Sequence, residues 1–160
     1  MKFQALFFIV FLLHLNSCSD ADVQHELIIG CPTDEVAQTK ENAAVLLLGK
    51  WEWIKTFYTN RASGNYVETS YSSGKQIFFE FKTDKVIITE NNVVTEERYE
   101  IIVDEVGTAM AEQQLKINFT TTAGELREIS LLRVSASGQC LTLINSYDDA
   151  GGDLNFQKVN

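Results

Sequence analysis

Histidine is almost missing from this sequence. Its two histidines are His14 and His25, and both precede the part of the chain that carries strand patterns. The predicted domain therefore has no imidazole for Ser-His-Asp or Cys-His catalysis, nor for a histidine zinc site. No glycine-rich phosphate loop leads from a strand into a helix. Because a general base is missing, we expect a protein that is not an enzyme and that uses no cofactor and no metal.

Basic charge and long apolar runs are also scarce. Thirteen Lys and Arg stand against 22 Asp and Glu, which gives a formal net charge of −9. Because nucleic-acid binding depends on basic patches, the composition argues against a nucleic-acid partner. The apolar run at residues 3–15 is too short for a membrane-spanning helix, which needs about 18 residues or more. A run of this length at the start of a chain is typical of an export leader.

The leader ends at a cysteine. Lys2 supplies a positive start, and the apolar run is followed by Leu15-Asn16-Ser17-Cys18. This arrangement resembles the lipobox of bacterial lipoproteins, which implies removal of residues 1–17 as a signal peptide and acyl chains on Cys18. Such chains hold a protein on a membrane without a spanning helix. The resemblance predicts a lipid-anchored protein of the bacterial cell envelope, expected at the outer membrane; ordinary secretion is the alternative.

The mature chain is predicted to be a tether followed by one domain. Residues 18–32 hold three acids and no hydrophobic periodicity, which is typical of a flexible tether. Residues 33–160 are long enough for a single domain. With Cys18 acylated, two of the three cysteines remain. An exported protein with two such cysteines favours one disulfide, and we predict that Cys31 pairs with Cys140.

The domain is predicted to consist of one helix and eight strands. The helix is expected over residues 33–48, with Thr33 as its cap and with Val36, Val45 and Leu48 facing the barrel. Residues 60–74 are expected to form a long loop. Strands are predicted at residues 50–59, 76–82, 86–90, 93–103, 115–120, 125–133, 139–145 and 153–159. Eight strands with mostly short turns predict an all-β fold, an eight-stranded antiparallel up-and-down barrel with one short N-terminal helix.

The junction between helix and first strand carries a family resemblance. Gly49-Lys50-Trp51 opens the strand, and this Gly-x-Trp start resembles the lipocalins. Residues 46–159 resemble the lipocalin-like domains of small bacterial lipoproteins. In lipocalins a cationic residue near the end of the last strand, usually Arg, lies over this Trp. The resemblance implies that Lys158 contacts the Trp51 ring and that Gly49, Trp51 and Lys158 form a structural latch.

Alternation along the strands predicts the side chains that face the barrel interior, while Glu96 and Glu97 are expected to be solvated. The predicted inward residues are Trp53, Phe57, Phe79, Phe81, Tyr99, Ile101, Ile117, Phe119, Leu131, Leu143 and Phe156. All of these except Ile101 and Leu143 are predicted to line a ligand site, together with Tyr66, which is expected with Tyr71 on the long loop at the mouth.

Two functions from different classes follow from this interior. A barrel of eight strands either holds one small ligand or fills with side chains. The first case predicts a membrane-anchored lipocalin-like lipoprotein, a monomer that binds a small hydrophobic ligand. The second predicts a filled-barrel structural or interaction protein of the cell envelope that acts through its loops. The sequence leaves both open.

Overall fold

The structure is a computed structural model, and it describes residues 35–59, 64–104, 114–146 and 151–159. The chain divides into a unit of residues 1–30 and a unit of residues 31–160, and every described residue belongs to the second. The elements are α1 Lys40–Leu47, β1 Gly49–Tyr58, β2 Tyr66–Thr69, α2 Ser70–Ser73, β3 Ile77–Phe81, β4 Lys85–Glu90, β5 Val93–Asp104, β6 Gln114–Thr121, β7 Leu126–Val134, β8 Cys140–Ile144 and β9 Gly152–Val159.

Eight of the strands in the described ranges close an antiparallel barrel. The strands run in the order β2-β1-β3-β4-β5-β6-β7-β8-β9, and β1 also pairs with β9. The closure pairs Trp51 with Lys158 and Trp53 with Phe156. This confirms the predicted all-β fold, a closed eight-stranded barrel with a short helix. Strands β4 and β5 are joined by a tight turn, in which Asn91 and Asn92 both have positive φ, at 49° and 69°.

The helix is shorter than predicted and buries a different face. Helix α1 begins at Lys40, and the Thr39 hydroxyl caps it by accepting a hydrogen bond from the Asn42 backbone N–H. The preceding residues are extended, because they pair with the end of β7 and the residue after it. The Ala37 N–H donates to the Val134 carbonyl, and a bridge joins residues 36 and 135. Ala43 and Leu47 are buried.

The predicted apolar face of α1 was therefore wrong. Val45 is 70 % exposed and Leu48 is 40 % exposed, while Val36 lies in the extended segment before the helix. The predicted cap, Thr33, lies outside the described residues. Helix α1 packs against β5 and β7, at the barrel end where β1 begins and β9 ends. We call this the helix end, and the opposite end the open end.

The described part of the predicted long loop contains a strand and a helix. Within residues 64–74 the chain forms β2 and α2 instead of a loop. Strand β3 pairs only with Gly49–Glu52 of β1, so the second half of β1 has a free edge, and β2 pairs there with Lys55–Tyr58. Thr69 and Ser72 then form a capping box that starts α2. Tyr66 and Tyr71 consequently lie on a strand and a helix.

A bulge in β1 reverses the predicted orientation of its second half. The register against β9 shifts between Trp53 and Lys55, and one extra residue in a strand exchanges its two faces. Thr56 is buried and accepts a hydrogen bond from the Trp53 indole N–H at 2.9 Å. Phe57, predicted to face inward, is 37 % exposed.

A second error concerns β7. Leu132 pairs with Leu143 and is buried, so the neighbouring Leu131 faces away from the interior, against prediction. Leu131 and Leu132 lie on opposite faces of the strand, and the sequence does not distinguish which of the two points inward. Only the pairing with β8 decides this. The buried core contains Ala43, Leu47, Trp51, Trp53, Phe79, Phe81, Val86, Ile101, Leu115, Ile117, Phe119, Leu132, Val134, Leu141, Leu143 and Phe156.

Candidate functional site

The helix end of the barrel is closed by Trp51 and Lys158. The Trp51 indole N–H donates to the Leu47 carbonyl at 2.7 Å. The Lys158 ammonium donates to the Leu46 carbonyl at 2.9 Å and lies 5.0 Å from the centroid of the Trp51 ring. Both acceptors belong to the last turn of α1, where backbone carbonyls have no partner within the helix. The predicted contact between Lys158 and Trp51 is present, and it fastens α1 to the barrel.

Glycine is required at the start of β1 for two reasons. Gly49 has φ +115°, which is unfavourable for residues with a side chain. A Cβ at this position would also lie 3.1 Å from Cε of Lys158. Burial lowers the pKa of Lys158 below its ordinary value. The ammonium thus lies over the indole ring and against the Leu46 carbonyl.

Aromatic rings in mutual contact occupy the barrel interior. The centroid of Phe79 lies 4.8 Å from that of Phe156, 6.0 Å from Phe81 and 6.2 Å from Phe119. These four rings are at most 6 % exposed. Tyr99 packs edge-on against Phe81 with centroids 5.2 Å apart. Rings from β3, β5, β6 and β9 therefore meet across the interior, as in a packed core.

A guanidinium group covers this aromatic core toward the open end. Arg127 Cζ lies 5.5 Å from the centroid of the Phe119 ring. Its Nε donates to the Glu97 carboxylate, with the two oxygens at 2.7 and 2.8 Å, and its Nη1 lies 3.2 Å from Glu128. Glu97 is only 8 % exposed, so the expectation that it is solvated was wrong. Glu96, on the other face, pairs with Lys85 near the surface.

The rim of the open end carries a second polar group, built on β1, β2 and the second residue after α2. The rings of Tyr58 and Tyr66 stack with centroids 4.6 Å apart and an interplanar angle of 13°. The Tyr58 hydroxyl donates to one Glu68 oxygen at 3.1 Å, and the Lys75 ammonium donates to the other at 3.0 Å. We call Tyr58, Tyr66, Glu68 and Lys75 the tyrosine rim.

The ionisable groups of the tyrosine rim hold one another in fixed states. The hydrogen bond from Lys75 keeps the pKa of Glu68 below its ordinary value, and the same bond raises the pKa of Lys75. Burial raises the pKa of Tyr58, and the adjacent carboxylate adds to this. At neutral pH the rim therefore presents the Glu68 carboxylate, the Lys75 ammonium and the neutral phenol of Tyr58.

The structure brings together most of the predicted site residues, but as a packed core. Phe57 and Leu131 face outward, and Tyr66 lies on the rim, stacked on Tyr58. Arg127, Glu97, Glu68 and Lys75 were missed by sequence reasoning, since no sequence pattern marks a bulge or a contact between strands β5 and β7. The predicted inward residues that lie in the core or pack against it are Trp53, Phe79, Phe81, Tyr99, Ile101, Ile117, Phe119, Leu143 and Phe156.

Two further predictions, the disulfide and the lipidation site, involve residues outside the described chain. Cys140 is disulfide-bonded, while its predicted partner Cys31 lies outside the described residues, as does Cys18.

Among the described residues, no helix has the length and apolar character needed to cross a membrane. The same ranges contain no cluster of three or more His, Cys, Asp or Glu placed to hold a metal ion.

Comparison with known proteins gives no relative. No family model, no curated protein and no solved structure matches the chain.

Proposed function

We propose that this chain is a lipid-anchored lipoprotein of the bacterial cell envelope with a lipocalin-like domain, in which the filled barrel is a scaffold and the open end is the working surface. This non-enzymatic interaction role is favoured over carriage of a small hydrophobic ligand inside the barrel. The observation that carries the choice is the contact of Phe79 with the rings of Phe81, Phe119 and Phe156.

The two ends of the interior support this proposal. At the helix end Lys158 lies over Trp51, and at the open end Arg127 lies over Phe119. An apolar ligand would have to separate the central rings and also displace Arg127 from Glu97. Leaving a buried carboxylate without its partner is costly, so entry of a ligand would oppose both packing and electrostatics.

The lipid anchor rests on the sequence of the leader, an apolar run that ends at Cys18. Residues 35–37 pair with the segment around Val134–Ala136, so the chain enters the barrel at the helix end. The Gly49, Trp51 and Lys158 arrangement supports the lipocalin-like assignment.

The filled barrel can be tested by native mass spectrometry of the purified full chain. We expect the wild type to carry no bound apolar molecule and to show no saturable binding of a fluorescent fatty acid. The control is Phe79→Ala, which removes the ring at the centre of the core and leaves an apolar cavity. Apolar cavities bind small apolar molecules such as benzene, so this variant should bind one. A stoichiometric lipid-like species on the wild type would favour the ligand carrier instead.

The anchor is tested separately with Cys18→Ala. Metabolic labelling with a fatty acid should mark the wild type only, and the variant should leave the membrane fraction. Equal labelling of the two proteins would show that Cys18 is not the lipidation site.

A further inference from the structure

We propose that the tyrosine rim binds a neutral saccharide, with the apolar face of one sugar ring stacked on Tyr66. The inference builds on the proposed function, because it assigns a ligand class to the open end. Its elements are a flat aromatic surface, fixed polar groups beside that surface, and a balanced local charge.

The aromatic surface is accessible and rigid. Tyr66 is 53 % exposed although one of its faces is covered by Tyr58, so its other face is open. Tyr58 is fixed from two sides: its hydroxyl is bonded to Glu68, and a Cβ on Gly152 would lie 2.7 Å from its Cε1. A platform that is ordered before binding loses little conformational entropy when a ligand stacks on it.

Polar groups suited to sugar hydroxyls lie next to this platform. Each Glu68 oxygen accepts one hydrogen bond within the rim, and a carboxylate oxygen can accept two. The Lys75 ammonium has three donors, of which one serves Glu68. The side chains of Lys75 and Glu68 are 42 % and 22 % exposed. A sugar has C–H groups on its faces and hydroxyls around its edge, which matches one flat ring bordered by a donor and an acceptor.

The charge of the rim favours a neutral ligand. Glu68 and Lys75 balance each other, and both keep their charges at neutral pH because each stabilises the other. The whole chain carries −9, so an acidic ligand would be repelled. A sugar without a carboxylate is not repelled by this charge.

The test uses the full chain in lipid nanodiscs and saturation-transfer NMR with cellotetraose, maltotetraose and chitotetraose, and with tetragalacturonate as the acidic comparison. We expect saturable binding of at least one neutral tetrasaccharide and weaker binding of the acidic one. Tyr66→Leu keeps an apolar contact with Tyr58 but removes the flat ring, and it should weaken binding about tenfold, the scale of one aromatic stack. Tyr66→Trp should retain binding.

Tyr71→Ala is the matched control, because Tyr71 is the more exposed tyrosine, at 98 %, and lies outside the stack. The Tyr71→Ala variant should bind the tetrasaccharides as the wild type does. The proposal is overturned if no neutral tetrasaccharide binds the wild type, or if Tyr66→Leu, with an unchanged melting temperature, binds as the wild type does. Either result leaves the filled barrel intact, whereas a fatty acid bound inside the wild-type barrel would refute that scaffold role without affecting the sugar test.

Discussion

Replacement of Trp51 by alanine should strongly destabilise the barrel. Trp51 is fully buried at the start of β1. Its indole N–H is bonded to the Leu47 carbonyl, and its ring lies under the Lys158 ammonium. Trp51→Ala therefore removes core packing, one hydrogen bond to the last turn of α1 and one cation–π contact at the same time.

The expected loss can be estimated from these parts. Emptying a buried aromatic site of this size costs about 3–5 kcal/mol. The Leu47 carbonyl also loses its donor, which adds about 1 kcal/mol or more where water cannot replace it. Lys158 still holds Leu46, so α1 stays attached at one carbonyl. We expect a total of about 4–6 kcal/mol, a large fraction of the 5–15 kcal/mol by which domains are usually stable.

The assay is urea unfolding followed by fluorescence of Trp53, which remains because the chain has two tryptophans. Trp51→Phe keeps a buried ring without the N–H and should lose less than Trp51→Ala. Lys158→Ala should cost about 1 kcal/mol, because it removes one partly exposed donor and one cation–π contact. An unfolding midpoint of Trp51→Ala equal to that of the wild type would refute the assignment of Trp51 as the closing residue.

Three further outcomes are expected. Gly152→Ala should destabilise the domain by about 1–3 kcal/mol, since its Cβ would overlap the Tyr58 ring; an unchanged melting temperature would mean that the two can move apart. Arg127→Ala should lower the free energy of unfolding by about 2–3 kcal/mol, because it leaves the buried carboxylate of Glu97 without its partner. The pairing is disproved if adding Glu97→Gln to the Arg127→Ala variant restores none of this stability. The pKa of Glu68 is lowered from 4.5 in the folded state, so its stabilising contribution is complete above that value and is lost as the pH falls through the lower, folded value. Thermal melts from neutral to acidic pH should therefore fall less steeply for Glu68→Gln than for the wild type, and parallel curves would contradict this.

The sequence determined the barrel and most of its core. The alternation of Leu115, Ile117 and Phe119 places three side chains on one face of β6, and all three are buried. The Asn91-Asn92 pair specifies a tight turn, because asparagine tolerates positive φ. The Gly49-x-Trp51 start and Lys158 sit at opposite ends of the domain sequence, and the resemblance to lipocalins brought them together correctly. The acylated leader and the working surface remain predictions.

Only the tertiary structure decided which side chains point inward after each irregularity. One extra residue in β1 turns Phe57 outward and Thr56 inward, and no residue type at positions 53–55 predicts this bulge. Strand β2 forms because β3 leaves half of β1 unpaired, which depends on strand lengths elsewhere in the sheet. Glu97 is buried because Arg127, which is 30 residues later in the sequence and lies on another strand, donates a hydrogen bond to its carboxylate. The local sequence pattern determines the alternation within a strand. Register, bulges and ion pairs between strands depend on how all the strands pair in the closed sheet.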